Sequence, residues 1–170
     1  MGIKTLFSEQ QIKNRVVEIA RQISTDYQGE DLVFVCVLNG AFVFCSDLIR
    51  EVDQSIYVDF IKASSYGDNK VSSGNLKVEM DLKVSIKGKH VLIVEDIVDT
   101  GLTLSCLIEK LNARGPASLK LASFLHKPSQ TKYSVNIDYL GFEIDNLFVV
   151  GYGLDYAGKY RELPFVGVLE

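Results

Sequence analysis

Apolar residues recur along this chain with two different periods. Ile12, Val16, Ile19, Ala20 and Ile23 fall three or four apart within residues 8–24, the spacing of a helix with one face on a core. Ser8 stands where such a helix opens, and Gln11 three residues later completes a capping-box pattern. Residues 32–38 (LVFVCVL) and 91–94 (VLIV) are instead unbroken apolar runs, as expected of strands covered on both faces. Asn39-Gly40-Ala41 separates the first run from a helical stretch over 42–52. Residues 95–103 separate the second from a helical pattern over 104–112, which Gly115-Pro116 stops. Further strands are predicted over 56–61, 76–80, 118–125, 137–142 and 147–150, the last two around a turn at 143–146. Residues 165–169 close the chain as a short strand beside the N-terminal elements. Residues 64–74, polar and glycine-containing, read as a loop or loose hairpin. Strands alternating with helices predict an α/β protein: a twisted, mainly parallel sheet flanked by helices.

Composition changes this picture little and excludes a few classes. At 170 residues, 47% hydrophobic and 24% charged, the chain fits an ordinary globular protein of one domain. A net charge of −4 argues against binding nucleic acid, and the longest apolar region, interrupted at Asn39-Gly40, is too short to span a bilayer. Cys36, Cys45 and Cys106 are odd in number and form no CxxC pair. Buried hydrophobes in a reducing, cytoplasmic compartment are therefore expected, with no membrane association.

The candidate chemistry sits where strands are predicted to end. Glu95 and Asp96 follow the 91–94 run, then Asp99-Thr100-Gly101-Leu102-Thr103, then a helix start. In an open parallel sheet ligands bind outside the carboxyl ends of the strands. The 100–103 turn offers backbone N–H groups, two hydroxyls and a helix N-terminus, which together suit an anion. The two carboxylates would repel that anion, so they address hydroxyls or a metal beside it. A phosphate next to a diol describes a ribose phosphate. Competing chemistries lack their residues: there is no GxxxxGK[ST], no GxSxG, no HExxH and no Cys/His cluster. Gly151-Tyr152-Gly153 lacks the third glycine and the long helix of a dinucleotide site.

The stretch 91–104, and within it Val94-Glu95-Asp96-Ile97-Val98-Asp99-Thr100-Gly101, resembles the phosphoribosyl-pyrophosphate motif of the type I phosphoribosyltransferases, closest in form to their hypoxanthine-guanine branch. Residues 148–156 resemble the Phe-Val-Val-Gly-Tyr-x-Leu-Asp-Tyr segment of the same branch. The resemblance implies transfer of a 5-phosphoribosyl group to N9 of a 6-oxopurine, hypoxanthine or guanine, giving IMP or GMP and pyrophosphate in purine salvage. It implies that Glu95, Asp96, Thr100, Gly101, Leu102 and Thr103 bind phosphoribosyl pyrophosphate, with Asp99 as the general base. Leu38, Asn39, Gly40 and Arg161 would bind pyrophosphate, and the family often has a cis peptide before the position of Asn39. The family frequently carries Lys or Arg where this chain has Asn39, which leaves a backbone argument rather than a charge argument there. Lys127, Phe148 and Val149 would bind the purine, and Ser65-Tyr66 match the pair on the family's closing loop. Magnesium is the implied cofactor, held by Glu95, Asp96 and Asp155. Residues 1–170 would form one phosphoribosyltransferase domain, with a hood over the sheet's carboxyl edge from the N-terminal segment and about 127–170, in a homodimer or homotetramer. Read without the family, Asn39-Gly40 is also an ordinary βα turn, Phe148 a core aromatic, Lys127 a solvated loop residue and the 64–74 loop a surface hairpin. A regulator that kept the sugar-phosphate motif and senses nucleotides is the alternative in another class.

Overall fold

The computed structural model describes residues 2–65 and 76–169. Its larger sheet has six strands: β2 (Leu32–Val37), β3 (Tyr57–Ser65), β4 (Leu76–Met80), β5 (His90–Val98), β6 (Ser118–His126) and β7 (Tyr139–Glu143). They lie in the order β4-β3-β2-β5-β6-β7, and only the β3–β4 pair is antiparallel. A smaller sheet, ordered β1-β9-β8, joins β1 (Ile3–Phe7), β9 (Val166–Leu169) and β8 (Val149–Val150). Three helices accompany them: α1 (Glu9–Asp26), α2 (Phe42–Glu51) and α3 (Leu102–Asn112). None of the described helices is long and apolar enough to cross a membrane.

The apolar runs become central strands because both their faces are covered. All six residues of β2 are buried. Leu32, Phe34 and Cys36 join a core with Ile12, Ile19 and Ile23 of α1 and Phe44 and Leu48 of α2. Val33, Val35 and Val37 point the other way, into a second core with Leu104, Leu107 and Leu111 of α3. The period-two alternation of a strand thus sorts one unbroken hydrophobic run between two layers of helix. The capping box read from Ser8 and Gln11 is present: Ser8 Oγ accepts from the Gln11 backbone N–H at 3.3 Å, and Gln11 Oε1 accepts from the Ser8 N–H at 2.9 Å.

Several boundaries differ from the sequence reading. β5 runs four residues past the apolar stretch, so Glu95 and Asp96 lie in the strand rather than in a turn. Parallel pairing with β6, including Glu95 with Ser123 and Val98 with His126, holds them extended despite their charge. β3 likewise continues to Ser65, because β4 pairs with its last residues. α3 begins at Leu102, two residues early. β1 has no local signal as a strand, since its partner β9 lies at the other end of the chain. The expectation that 165–169 would lie beside N-terminal elements is met by that pairing.

Topology fixes where a ligand can enter. From β2 the chain crosses through α2 to β3 on one side, and from β5 through α3 to β6 on the other. The connections diverge between β2 and β5, and in open α/β sheets that divergence leaves a crevice at the carboxyl ends of the two strands.

Candidate active site

Two loops face each other across this crevice. After β2 comes the turn 38–41, whose Leu38–Asn39 peptide is cis, as the family resemblance implied. After β5 comes 99–101, leading into α3. The first of these loops touches β5 directly, through Gly40 and Asp96. A Cβ placed on Gly40 would fall 1.6 Å from Asp96 Oδ2 and 2.6 Å from Asp96 Cγ. Only the absence of a side chain at Gly40 lets the carboxylate occupy its position. The expected outcome of Gly40→Ala is displacement of Asp96, read as a loss of kcat/KM of at least about tenfold with a smaller change in melting temperature. Parent-like kinetics in that variant would show that this contact does not matter.

Glu95 and Asp96 are successive residues near the end of β5, and their carboxyls adjoin. Each is held locally: Asp96 N–H donates to Glu95 Oε1 at 2.9 Å, and Ile97 N–H to Asp96 Oδ1 at 2.7 Å. Burial, and then the neighbouring Asp96 carboxylate, push the Glu95 carboxyl well above the usual carboxylate range. A site with two adjoining carboxylates, one of them desolvated, favours an added positive charge. Among the described residues, however, no three His, Cys, Asp or Glu side chains converge on one point. A dedicated all-protein cage is therefore not what these residues build. The set suits magnesium, which keeps several waters and needs only one or two carboxylates beside substrate phosphates.

Gly101 is the N-cap of α3, with φ at +83°. A Cβ there would approach the Tyr133 carbonyl oxygen to 2.2 Å. The glycine thus allows both the turn's handedness and close packing of residues 131–133 against it. Thr103, in the first turn of α3, donates through Oγ1 to Ser65 Oγ at 3.0 Å. This ties the end of β3 to the expected phosphate turn. Tyr66, paired with Ser65 in the sequence reading, lies outside the described residues.

Asp99 is half-exposed at the mouth of the crevice. Its carboxylate stands 4.0 Å from the Lys127 ammonium, and the Lys127 side chain is only 10% exposed. The buried stem makes Lys127 a fixed donor rather than the solvated loop residue of the bland reading. Phe148 presents 55% of its surface to solvent and is therefore not a core aromatic. Tyr156 meets it edge-on, ring centroids 5.6 Å apart. Val149 beside it is anchored in the small sheet opposite Val168. Asp155 and Arg161 are paired with each other, Nη2 to Oδ1 at 2.7 Å. Arg161 also donates from Nη1 to the Gly153 carbonyl at 2.6 Å, and Asp155 accepts from the Gly158 N–H at 2.8 Å. Gly153 in turn abuts the pyrophosphate-loop candidate: a Cβ there would meet the Gly40 carbonyl oxygen at 2.2 Å. Arg161 is thereby brought to the 38–41 turn through Gly153. Of the sequence-predicted residues that the structure describes, Arg161 alone lines the cavity of about 900 Å³ between α1, α2 and residues 161–164.

The sequence reading gave no role of their own to Gly153, Tyr156, Thr131 and His126. Thr131 lies on the loop after β6 and bonds to the backbone of both Asp99 and Lys127. The spacing of Gly151 and Gly153 fits no dinucleotide site in the sequence and falls instead within the 148–156 segment.

Comparison with known proteins agrees with this geometry. Residues 2–157 match the phosphoribosyl transferase domain model. The chain is 48% identical to the hypoxanthine-guanine phosphoribosyltransferase of Dictyostelium discoideum, over all of this chain and 97% of that protein. It is 46% identical to the hypoxanthine phosphoribosyltransferase of Escherichia coli strain K12, over 97% of this chain and 94% of that one. A crystal structure of a hypoxanthine-guanine phosphoribosyltransferase from Bacillus anthracis superposes with a TM-score of 0.93 at 44% identity, covering 100% of both chains.

Proposed function

We propose, from the premise that this chain belongs to the phosphoribosyltransferase family, that it moves the 5-phosphoribosyl group of phosphoribosyl pyrophosphate to N9 of hypoxanthine or guanine. The products are IMP or GMP and pyrophosphate, the chemistry of purine salvage. The observation that carries this reading is the meeting of Asp99 and Lys127, 4.0 Å apart, just past the carboxyl ends of β5 and β6. One group can move a proton and the other can only donate, and both are directed to one edge of a base. The relatives named above are enzymes, which leaves the regulator reading without support.

The residues divide the work as follows. The backbone and hydroxyls of 100–103 grip the 5′-phosphate at the start of α3. Glu95 and Asp96 address the ribose hydroxyls and hold the sugar in line, a proximity effect of order 7–11 kcal/mol in ideal cases. As the bond to pyrophosphate breaks, positive charge develops on the ribose and negative charge on the leaving group. Backbone amides of the 38–41 turn and Arg161 receive the latter. Arg161 has five N–H donors and its pairing with Asp155 and Gly153 aims the guanidinium while leaving others free. Magnesium, when bound, supplies further positive charge for that leaving group. Glu95 and Asp96 would hold it, with Asp155 reaching it through water. Asp99 takes a proton at N7 of the purine as the N9 bond forms. The Lys127 ammonium has three donors and no acceptor, so it suits a 6-oxo group and opposes a 6-amino group. Phe148 stacks on the base and the Val149 backbone reads its edge. Residues 1–170 act as one domain, the β1-β9-β8 sheet serving as the hood, in a cytoplasmic homodimer or homotetramer.

The test is an ultraviolet-monitored reaction of purified protein with phosphoribosyl pyrophosphate and magnesium, offering hypoxanthine, guanine, xanthine, adenine and uracil separately. Turnover of hypoxanthine or guanine, with adenine inert, is expected. Turnover of adenine or uracil alone would discard the purine-site roles of Lys127 and Phe148.

A further inference from the structure

Two segments meet behind Asp99: residues 98–101, which end β5 and lead into α3, and residues 127–133, which follow β6. Their backbones are joined directly. Lys127 N–H donates to the Val98 carbonyl at 2.9 Å, and the N–H groups of Lys132 and Tyr133 both donate to the Thr100 carbonyl at 3.0 Å. One side chain gathers the rest. Thr131 Oγ1 lies 3.0 Å from the Asp99 carbonyl oxygen and 3.1 Å from the Lys127 carbonyl oxygen. His126 Nε2 stands 3.1 Å from the same hydroxyl.

A hydroxyl carries one hydrogen and two lone pairs, whereas carbonyl oxygens only accept. The Thr131 hydrogen is therefore taken up by the two carbonyls, and the ring nitrogen is left to donate. This assigns the hydrogen of His126 to Nε2. His126 is the last residue of β6 and lies in register with Val98 of β5. Its ring thus anchors Thr131 to the sheet rather than to another loop.

We infer that Thr131 is a positioning residue for the purine transfer proposed above. Its hydroxyl, oriented by His126, sets the separation of the Asp99 carboxylate and the Lys127 ammonium. The inference rests on that reading, because it assigns those two groups to neighbouring atoms of one base, N7 and the oxygen at C6. Both groups must be correctly placed at once, and constellations of this kind need placement to about 0.5 Å. Gln130 N–H also donates to the Lys127 carbonyl at 3.0 Å, so among the described residues it is the Asp99 carbonyl that the Thr131 hydroxyl alone holds. Thr131 touches neither sugar nor base in this scheme.

The experiment compares the parent chain with Thr131→Val, which keeps the shape and removes the hydroxyl, and with Thr131→Ser, which keeps the hydroxyl. For each, kcat and KM are measured with hypoxanthine and phosphoribosyl pyrophosphate, alongside the Kd for phosphoribosyl pyrophosphate and the melting temperature. The valine variant is expected to lose about tenfold in kcat/KM for hypoxanthine. Its sugar-phosphate affinity and melting temperature should stay near the parent values, and serine should recover most of the loss. Should valine compromise folding, Thr131→Ala against Thr131→Ser carries the same contrast. Parent-like kinetics without the hydroxyl would overturn the inference. So would a serine variant as poor as valine, or an equal loss of sugar-phosphate binding, either of which indicates packing alone. A parent chain inert with every base would overturn the underlying reading and this inference together.

Discussion

Asp99→Asn is expected to lower kcat by about 10²–10⁴-fold, the usual worth of a positioned proton acceptor. Asparagine keeps the shape and a hydrogen-bonding oxygen but cannot take a proton near neutrality. Asp99 itself is half-exposed, so the new carboxamide is not buried, although the buried Lys127 ammonium loses the carboxylate beside it. The Asp99 backbone, held by Thr131, is untouched by the change. The Kd for phosphoribosyl pyrophosphate should therefore move by no more than about threefold, because binding of the sugar phosphate is assigned to other residues. Parallel measurement of kcat and Kd separates the possibilities. Equal losses in both would remove Asp99 from the role of base and make it a binding residue.

Gly101→Ala is expected to act in the opposite sense, on binding and stability before chemistry. With φ at +83°, an alanine there carries strain of order 1–3 kcal/mol. It also drives a methyl group into the Tyr133 carbonyl, 2.2 Å from where the Cβ would stand, and backbone cannot rotate away as a side chain can. The 99–103 turn and the 131–133 segment must part, and the N–H groups presented to the 5′-phosphate move with them. Affinity for phosphoribosyl pyrophosphate should fall by tenfold or more, about 1.4 kcal/mol. Gly29→Ala provides the control: its φ of +79° is equally unfavourable, yet nothing lies within 4 Å of the added methyl. Calorimetric Kd and melting temperature on both variants isolate the collision from the strain. If both bind the sugar phosphate like the parent, the close approach at Tyr133 has no bearing on the site.

These two variants also mark what could be read before any coordinates. Asp99, Thr100 and Gly101 were legible because their chemistry is local. An apolar run ends, acids follow, and a glycine turn opens a helix within fourteen residues. The burial of β2 and β5 on both faces was legible from their unbroken apolar sequence, and the α/β architecture followed from strands alternating with helices. The extent of β5 was not, because Glu95 and Asp96 read as turn residues until parallel pairing with β6 holds them extended. Local chemistry also missed what depends on distant partners. The space denied at Gly40 belongs to Asp96, and the space denied at Gly153 belongs to Gly40. Thr131 acquires its bonds from a carbonyl 32 positions earlier, and no local pattern marks a threonine for that. Sequence thus conveyed where the candidate groups stand better than which groups hold them at their distances.

The antiparallel pairing of Ile3 with Leu169 has a consequence for how the molecule comes into being. During synthesis β1 emerges well before β9 and stays without its partner until residues 166–169 have left the ribosome. β8, which carries Val149, is flanked on one side by that same late strand. The six-stranded sheet contains only residues up to Glu143, so it can assemble while the small sheet is still impossible. Contacts that close the longest loop carry the largest chain-entropy cost and form late. A nascent chain arrested after β7 should therefore already protect the amides of β2 and β5 from hydrogen exchange while lacking any purine edge. On the roles proposed above, the residues assigned to the sugar phosphate would be in place before β9 completes the small sheet that carries Val149.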